Sequence, residues 1–360
     1  MRRVLIFVLS LLVGLTSITF IGAHRIAAQD CYAWSGQSPV SLQTALYANL
    51  CVTVAAGIWP VRAQIVVPYG HSISGAGTES TVLKAVAPWN FTQVDAVLQS
   101  RNDSPNAYMS NLTVDANHLA TYAVGYRGMT VDHVTMKNAR CNGVGIVGKN
   151  VHISYSTVTG NGATCLNSPP GAGIYVEANL DADKHLAPQI DHSTIYGNTG
   201  PGLDVNGAYD GVFTYNHVYD NSSWAAVSLY GSSNWNVSSN TISQPVSRVT
   251  TPYHPYCNKM PDGAGSAGIF LCQDTDARGL YTTGNGISFN RVSGYYGIVS
   301  IGADTLKPYW APRDNGFMYN NTYGSNYGCV DDFKPGQWSS SKDTWFNNQC
   351  SGPNTGPQYF

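Results

Sequence analysis

Charge is scarce in this chain: Asp, Glu, Lys and Arg together make up 11% of 360 residues, and the formal net charge is -2. Lys and Arg nowhere gather into a run, so the electrostatic footprint of a nucleic-acid-binding protein is excluded. There is no CxxC, and no His or Cys spacing suits zinc, which removes the usual metal-ribbon readings of an even set of eight cysteines. Glutamate is the rarest charge, with Glu79 and Glu177 standing against nineteen aspartates. A longer-reaching carboxylate at position 177, inside "GAGIYVEANLDADKH", therefore calls for a reason.

What is present begins with "MRRVLIFVLSLLVGLTSITFIGAHRIAAQ", two arginines followed by an uncharged apolar run and small residues around Ala27 and Ala28. This pattern is that of a secretory signal over residues 1–28. The run is also long enough to serve as an uncleaved anchor, because about 20 apolar residues span a bilayer. In either case the body, residues 29–360, is expected to be secreted or extracellular, in the periplasm or at the cell surface. Export suits cysteines held as disulfides. Joining sequence neighbours gives Cys31–Cys51, Cys141–Cys165, Cys257–Cys272 and Cys329–Cys350. Gly, Asn, Ser, Thr and Tyr fill the space left by charge, a composition for an all-β protein rich in turns, with a neutral surface better matched to a glycan than to a polyanion.

A six-residue pattern recurs: "MSNLTV" from Met109, "VDHVTM" from Val131, "ISYSTV" from Ile153, "IDHSTI" from Ile190, "FTYNHV" from Phe213, "VSSNTI" from Val237, "ISFNRV" from Ile287 and "MYNNTY" from Met318. The commonest interval is 22 to 24 residues. Each hexamer is followed by a turn rich in Asn and Gly, then by a segment with apolar residues at alternate positions, such as "GVGIVG", "GIYVEA", "GLDVNG", "AVSLYG" and "GIFLCQ". Alternation marks half-buried strands. A short period without helical spacing reads as one rung of a parallel β-helix, in which no strand buries its apolar face alone and the rungs must stack. Asn at the fourth hexamer position in the last four repeats (Asn216, Asn240, Asn290, Asn321) suggests side-chain amides bonded from rung to rung. "SLQTALYANL", with Ser41 as N-cap and Leu42, Ala45, Leu46 and Leu50 near helical spacing, reads as a short helix covering the first rung. The tail after Cys329 is expected to close the other end, making one domain with disulfide-tied caps and no linker.

These repeats, together with "GIWPVRAQIVVPYGHSISGAGTESTVLKA" from Gly57, resemble the right-handed parallel β-helix proteins of the pectin lyase-like superfamily over roughly residues 40–350. The resemblance implies an all-β solenoid. It says little about chemistry, since that superfamily includes lyases, hydrolases, epimerases, phage tailspikes and adhesins.

If Ile174 and Val176 point inward, Tyr175 and Glu177 point outward. The same register in neighbouring rungs puts Arg127, Asp204, Asn206, Ser228 and Tyr230 on that outer face, with Lys149, Asn179 and Asp274 just beyond the strand ends. Long insertions flank this face. Their Tyr253, His254, Tyr256, Tyr309 and Trp310 could stack on sugar rings, against the plainer reading that they pack the loops down. Glu177, Asp204, Arg127, Lys149 and Tyr175 are the candidate catalytic residues; Asn179, Asn206, Tyr230, Tyr256, Trp310 and Asp274 are the candidate substrate contacts.

Three chemistries fit. A lyase cleaving a uronate-containing extracellular polysaccharide by β-elimination is the leading one, with calcium held by Glu177 and Asp204, or Arg127 or Lys149, neutralising the uronate carboxylate, and with Lys149 or a Tyr175 of lowered pKa as base. A glycoside hydrolase using Glu177 and Asp204 as acid and base is the second. A non-catalytic, adhesive glycan binder is the third. In the plainest reading Glu177 is a solvated residue paired with Lys149 across one rung. Other motifs carry less. The Asp-His pairs of "VDHVTM" and "IDHSTI" place His133 and His192 in the repeat column of Tyr155, Tyr215 and Phe289, which a stacked ring ladder explains. "GVGIVG" fits GxGxxG without a following helix. Asn-x-Ser/Thr triplets at Asn90, Asn111, Asn221 and Asn236 are glycan acceptors only in a host that glycosylates exported chains.

Overall fold

The computed structural model describes residues 30–38, 40–89, 95–100, 107–165, 171–178, 184–244, 266–273, 281–301, 314–331, 343–352 and 354–359. The chain divides into Met1–Cys31 and Tyr32–Phe360, and the solenoid lies in the second unit. Among the described residues no helix is long and apolar enough to cross a membrane, and the leader predicted over 1–28 lies outside them.

The fold is the all-β, parallel β-helix that the repeats predict. One rung shows the plan. His152–Ser154 forms a strand, Tyr155 turns the corner, Thr157–Thr159 forms a second strand, and after a turn Ile174–Glu177 forms a third. Every strand pairs in parallel with its counterpart one rung on, so the molecule has three faces. The first face stacks Met109, Val131, Ile153, Ile190, Phe213, Val237, Ile287 and Phe317 in one inward column. On the second, Val114, Met136, Val158, Ile195, Val218, Ile242 and Val292 do the same. Leu98, Val124, Val144, Ile174, Leu203, Val227, Ile269 and Ile298 complete the interior from the third. All of these side chains are buried. Each contributes about 1.5–3 kcal/mol through burial, but only when the rungs above and below are in place.

The corner between the first and second faces is built by residues with a left-handed backbone: His133, Tyr155, His192, Tyr215, Ser239, Phe289 and Tyr319 all have φ between 46° and 58°. Such a conformation is unfavourable for a side-chain-bearing residue. Here, after Tyr155 and every later one of these residues, it lets the next residue, a serine at 156 and 193 and an asparagine from 216 on, aim a polar side chain along the solenoid. The Asn216 side chain donates to Asn240 Oδ1 (3.2 Å), Asn240 to Asn290 (2.9 Å), Asn290 to Asn320 (3.0 Å) and Asn320 to Asn348 (2.9 Å). The same oxygens accept the backbone N–H groups of Asn216, Asn240, Asn290 and Asn320, so the buried corner leaves no orphaned donor there. The last repeat is therefore shifted by one residue from the sequence reading: Phe317 aligns with Ile287, Asn320 occupies the ladder, and Asn321 is exposed. Asn161, Asn198 and Asn221 form a second amide row, and Asn285, Asn315 and Asp343 a third. Asn221 is fully buried in its row, so its glycosylation triplet is closed in the folded chain.

The expected ring column is also present. His133, Tyr155, His192 and Tyr215 stack with centroids 4.9–5.2 Å apart, and Phe289 stacks on Tyr319 at 5.1 Å. Asp132 and Asp191 accept from the His133 and His192 beside them at 2.9 and 2.8 Å, tying the rings to the first face.

At the N-terminal end Leu42–Ala48 is helical, with the Ser41 hydroxyl accepting from the Thr44 N–H and with Leu42, Ala45 and Leu46 buried. Leu50, placed in the helix pattern by spacing, lies past its end and is exposed, because the chain turns extended at Asn49. His71 donates to the carbonyls of Leu46 and Asn49, serving the helix C-terminus. At the far end Asn354–Tyr359 pairs with Tyr327–Asp331, so the tail adds a strand to the third face. Cys141–Cys165 and Cys329–Cys350 are bonded as neighbour pairing predicts. Cys31, Cys51 and Cys272 are also disulfide-bonded, while Cys257 lies outside the described residues.

Replacing a ladder amide strands several buried partners at once. Asn240→Ala is expected to lower stability by about 2–4 kcal/mol, against a few tenths for Asn321→Ala, when the two are compared by denaturant midpoint. Equal small effects from both would contradict the ladder register.

Candidate functional site

The third face carries most of the described polar groups named as candidates, and its register decides which of them meet. Gly145, Tyr175, Asp204 and Ser228 are successive partners across four strands, and Glu177, Asn206 and Tyr230 are partners in the next outward column. Leu203 and Val205 flank Asp204 and face the core, so the carboxyl leaves the sheet on the outer side. Glu177 lies one rung and two residues from Asp204, which sets their Cβ atoms roughly 8 Å apart.

Asp204 was expected to stand in solvent, and it does not: it is 2% exposed. Alternation settles which side of a sheet a residue leaves but not what lies above it. Burial, and secondarily the Glu177 charge, push its carboxyl up to about 7, with the neighbouring Ser228 hydroxyl partly offsetting this. Asp204 is therefore about half protonated at pH 7 and largely a neutral acid below it. Tyr175, half-buried opposite it, is raised well above its ordinary value by burial and by the charges of Glu177 and Asp204. That reverses the expectation of a tyrosine base with lowered pKa, because the charges acting on this phenol are carboxylates.

Two tyrosines and a serine complete the patch. Tyr122 lays its ring over Gly145, where a Cβ would come within 2.7 Å of the ring, so this glycine is needed as the seat. Burial first, then Glu177 and Asp95, raise the Tyr122 phenol, against an opposing hydrogen bond from Asn142. Neither Tyr122 nor Asn142 is among the candidates that the sequence pattern marks. Their one signal was glycine at the outward position in two adjacent strands, Gly125 and Gly145, which clears room for a ring.

Among the described residues, two buried oxygens on this face, Asp204 Oδ1 and Asn206 Oδ1, meet no hydrogen-bond partner. Buried polar atoms without partners are unusual and costly. Glu177 and Asn206 are themselves only partly buried, marking where this row opens toward the surface. Beyond Ser228 the face becomes apolar: Tyr230, Phe270, Cys272, Val299 and Val330 pack with Trp224 and Tyr296 into a cluster separate from the interior. Tyr230 is fully buried in that cluster, which corrects its assignment as an exposed sugar contact.

Arg127 follows the strand Tyr122–Tyr126 in the outward column of Glu177, two rungs away, or about 10 Å along the stack. Lys149 is half-buried in the turn after Asn142–Ile146, its carbonyl accepting from the Gly128 N–H at 2.9 Å. Asn179, Asp274, Tyr256 and Trp310 lie outside the described residues, as do Tyr253, His254 and Tyr309. Calcium takes roughly 6–8 oxygen ligands, backbone carbonyls and waters among them, and Glu177, Asp204 and Asn206 could supply three side-chain groups toward that number. Among the described residues no three His, Cys, Asp or Glu side chains gather to hold a metal ion.

Residues 95–291 match the family model described as "Right handed beta helix region". No curated protein matches the chain in sequence. Among solved structures, the A-module of a mannuronan C-5 epimerase from Azotobacter vinelandii is similar at 14% identity, covering 88% of this chain and 96% of that one with a TM-score of 0.50. The Dettilon tailspike protein is similar at 11% identity, covering 86% of this chain and 63% of that one with a TM-score of 0.53. At these identities the likeness is one of fold.

The raised Asp204 fixes a sign. Its native pKa exceeds the unfolded value, so its contribution to stability is fully present below about pH 4 and is lost as pH rises through about 7. Asp204→Asn, which imitates the neutral acid, is expected to gain thermal stability relative to the native protein between pH 4 and pH 8. A stability difference between the two that stays flat over this range would show that Asp204 titrates normally.

Proposed function

Because the chain belongs to the right-handed β-helix family, an architecture that hosts many chemistries, we propose from the site itself that this is an exported enzyme that hydrolyses a polysaccharide on its third face. Asp204 is the general acid and Glu177 the general base. The observation that supports this reading is a buried carboxyl raised to about 7 beside a second carboxyl in a less buried place, an environment that gives two like groups opposite roles. Asp204 protonates the glycosidic oxygen as its bond to the anomeric carbon breaks, and Glu177 removes a proton from the water that attacks that carbon. The two Cβ atoms stand roughly 8 Å apart, and the separation of the carboxyl groups they carry decides between inversion and retention. Disulfides and the apolar leader support export. The epimerase module and the tailspike share the fold and are compatible with a polysaccharide ligand, but at their identity they add no residue.

β-Elimination on a uronate chain is the second reading, and Arg127 in the outward column of Glu177 favours it. In that reaction Tyr175 keeps its proton through the neutral range and so would donate to the leaving oxygen, leaving Lys149 as the base. Calcium held by Glu177 and Asp204 would supply the positive charge that neutralises the uronate carboxylate in this reading.

Incubation with neutral and acidic polysaccharides tests the proposal. New reducing ends without ultraviolet absorbance are expected, with a rate that falls above about pH 7 as Asp204 ionises. Glu177→Gln and Asp204→Asn should each lower kcat by about 100-fold or more while the protein stays folded. Absorbance from unsaturated uronate products would replace hydrolysis by elimination. Retention on a glycan without cleavage would leave an adhesive protein, and full activity in Glu177→Gln would remove that residue from the site.

A further inference from the structure

The ring column at the corner between the first and second faces has a gap. Its successive positions are His133, Tyr155, His192, Tyr215, Ser239, Phe289 and Tyr319, all in the left-handed conformation of that corner, and Ser239 alone among them carries no ring. Tyr215 stacks on His192 at 5.0 Å with 16° between the planes, and Phe289 on Tyr319 at 5.1 Å with 6°. The rings therefore lie across the solenoid axis, and the second face of each looks along that axis toward Ser239. Rungs are about 4.8 Å apart, so the two rings, separated by the rung of Ser239, stand about 10 Å from each other. Exposure reports the opening: Tyr215 is 61% and Phe289 62% exposed, against 54% for Tyr155, which has a ring on both sides. Segments 212–219, 236–243 and 286–293 each run unbroken from the first face to the second here, so no insertion arises at this corner within them.

An occupant of this slot must be one layer thick, with apolar faces for the two rings. The width admits an aromatic ring, as the rest of the column shows, and equally a pyranose, whose C–H groups cover both faces of the sugar ring. The floor and the side of the slot separate these two. Ser239 forms the floor and is half-buried, and the exposed Thr241 lies beside it at the start of the second-face strand. Thr241 is in register with His217 one rung before and Arg291 one rung after, both exposed. Hydroxyl, imidazole and guanidinium groups hydrogen-bond to the hydroxyl rim of a sugar and find no partner on the rim of a phenyl ring.

We propose that the gap between Tyr215 and Phe289 is a second glycan-binding site, which holds one pyranose residue of a polysaccharide between the two rings and over Ser239. It lies on the corner opposite the third face, so it tethers polymer and takes no part in the cleavage proposed there. Its test reads binding, and so stands or falls independently of Asp204 and Glu177.

Ser239→Tyr closes the slot without removing either ring. The column already holds tyrosine in this backbone conformation at 155, 215 and 319, so the new ring completes the stack. Full-length Asp204→Asn protein, which lacks the proposed acid and leaves polymer intact, is compared with the same protein carrying Ser239→Tyr or Phe289→Ala. Affinity electrophoresis is run in glucans, mannans, galactans, xylans and polyuronates, with unfolding midpoints measured alongside and reducing ends measured for the protein with Asp204 in place. At least one polysaccharide should be retained, and each substitution should weaken its retention by about ten-fold, with Ser239→Tyr unfolding no earlier than its parent. Unchanged retention in folded Ser239→Tyr, or retention of no polysaccharide, overturns the proposal. Should Ser239→Tyr fail to fold, unchanged retention in folded Phe289→Ala overturns it in the same way. Saturable binding of phenol that Ser239→Tyr abolishes, with no polysaccharide retained, would assign the slot to an aromatic ligand and overturn the sugar. Retention weakened by Ser239→Tyr in a protein that cleaves none of these polymers would uphold the slot and defeat the hydrolase instead.

Discussion

Register between successive rungs is the constraint on which every other feature depends. A one-residue slip would send an outward column inward, because side chains alternate along a strand. Apolar columns oppose such a slip, yet isoleucine, valine and leucine interchange easily and tolerate error. The buried amides do not. Asn240 accepts from the backbone of Asn216 and donates to Asn290 and to the Phe213 carbonyl, and each of these bonds exists in one register only. Left-handed residues at the corner, from Tyr215 to Tyr319, are the local cost of aiming those amides along the stack.

That rigidity places a carboxyl where water would not choose to leave it. Asp204 departs from a strand whose neighbours Leu203 and Val205 belong to the core, and it is covered on the outer side as well. A native chain selected for stability alone would place an amide or an apolar group there. Keeping a titratable group buried, opposite a tyrosine and diagonal to Glu177, exchanges stability for a proton held near neutrality. Tyr122, seated on Gly145, and the buried Asn206 oxygen, which meets no partner among the described residues, extend the same pattern, with local rules broken together on one patch of one face.

Much of the fold was legible because a repeat reports itself many times. Hexamers at regular spacing located strands, corner and ladder, and the alternation around Ile174 and Val176 placed Tyr175, Glu177, Asp204 and Asn206 on one side of one sheet. The failures have physical causes. In "FMYNNTY" two adjacent asparagines allow either register, and only the inward fit of Phe317 under Ile287 selects Asn320 over Asn321. Tyr230 and Asp204 leave the sheet outward as read, but covering of an outer face is a tertiary fact that no period of two contains. Sequence suggests a lowered pKa for Tyr175, whereas space puts Glu177 and Asp204 against it and raises it. Tyr122 was missed because its importance comes from a glycine in the next rung, not from its own neighbours.

The account's central claim is that a neutral acid is held on the third face beside a second carboxyl. Carbon-detected NMR of the protein labelled at its aspartate carboxyls, with the Asp204 signal assigned by its loss in Asp204→Asn, measures that directly as pH is varied. A midpoint near 7 is the predicted result. A midpoint near 4, the value of an aspartate in water, would contradict the claim and with it the proposed acid.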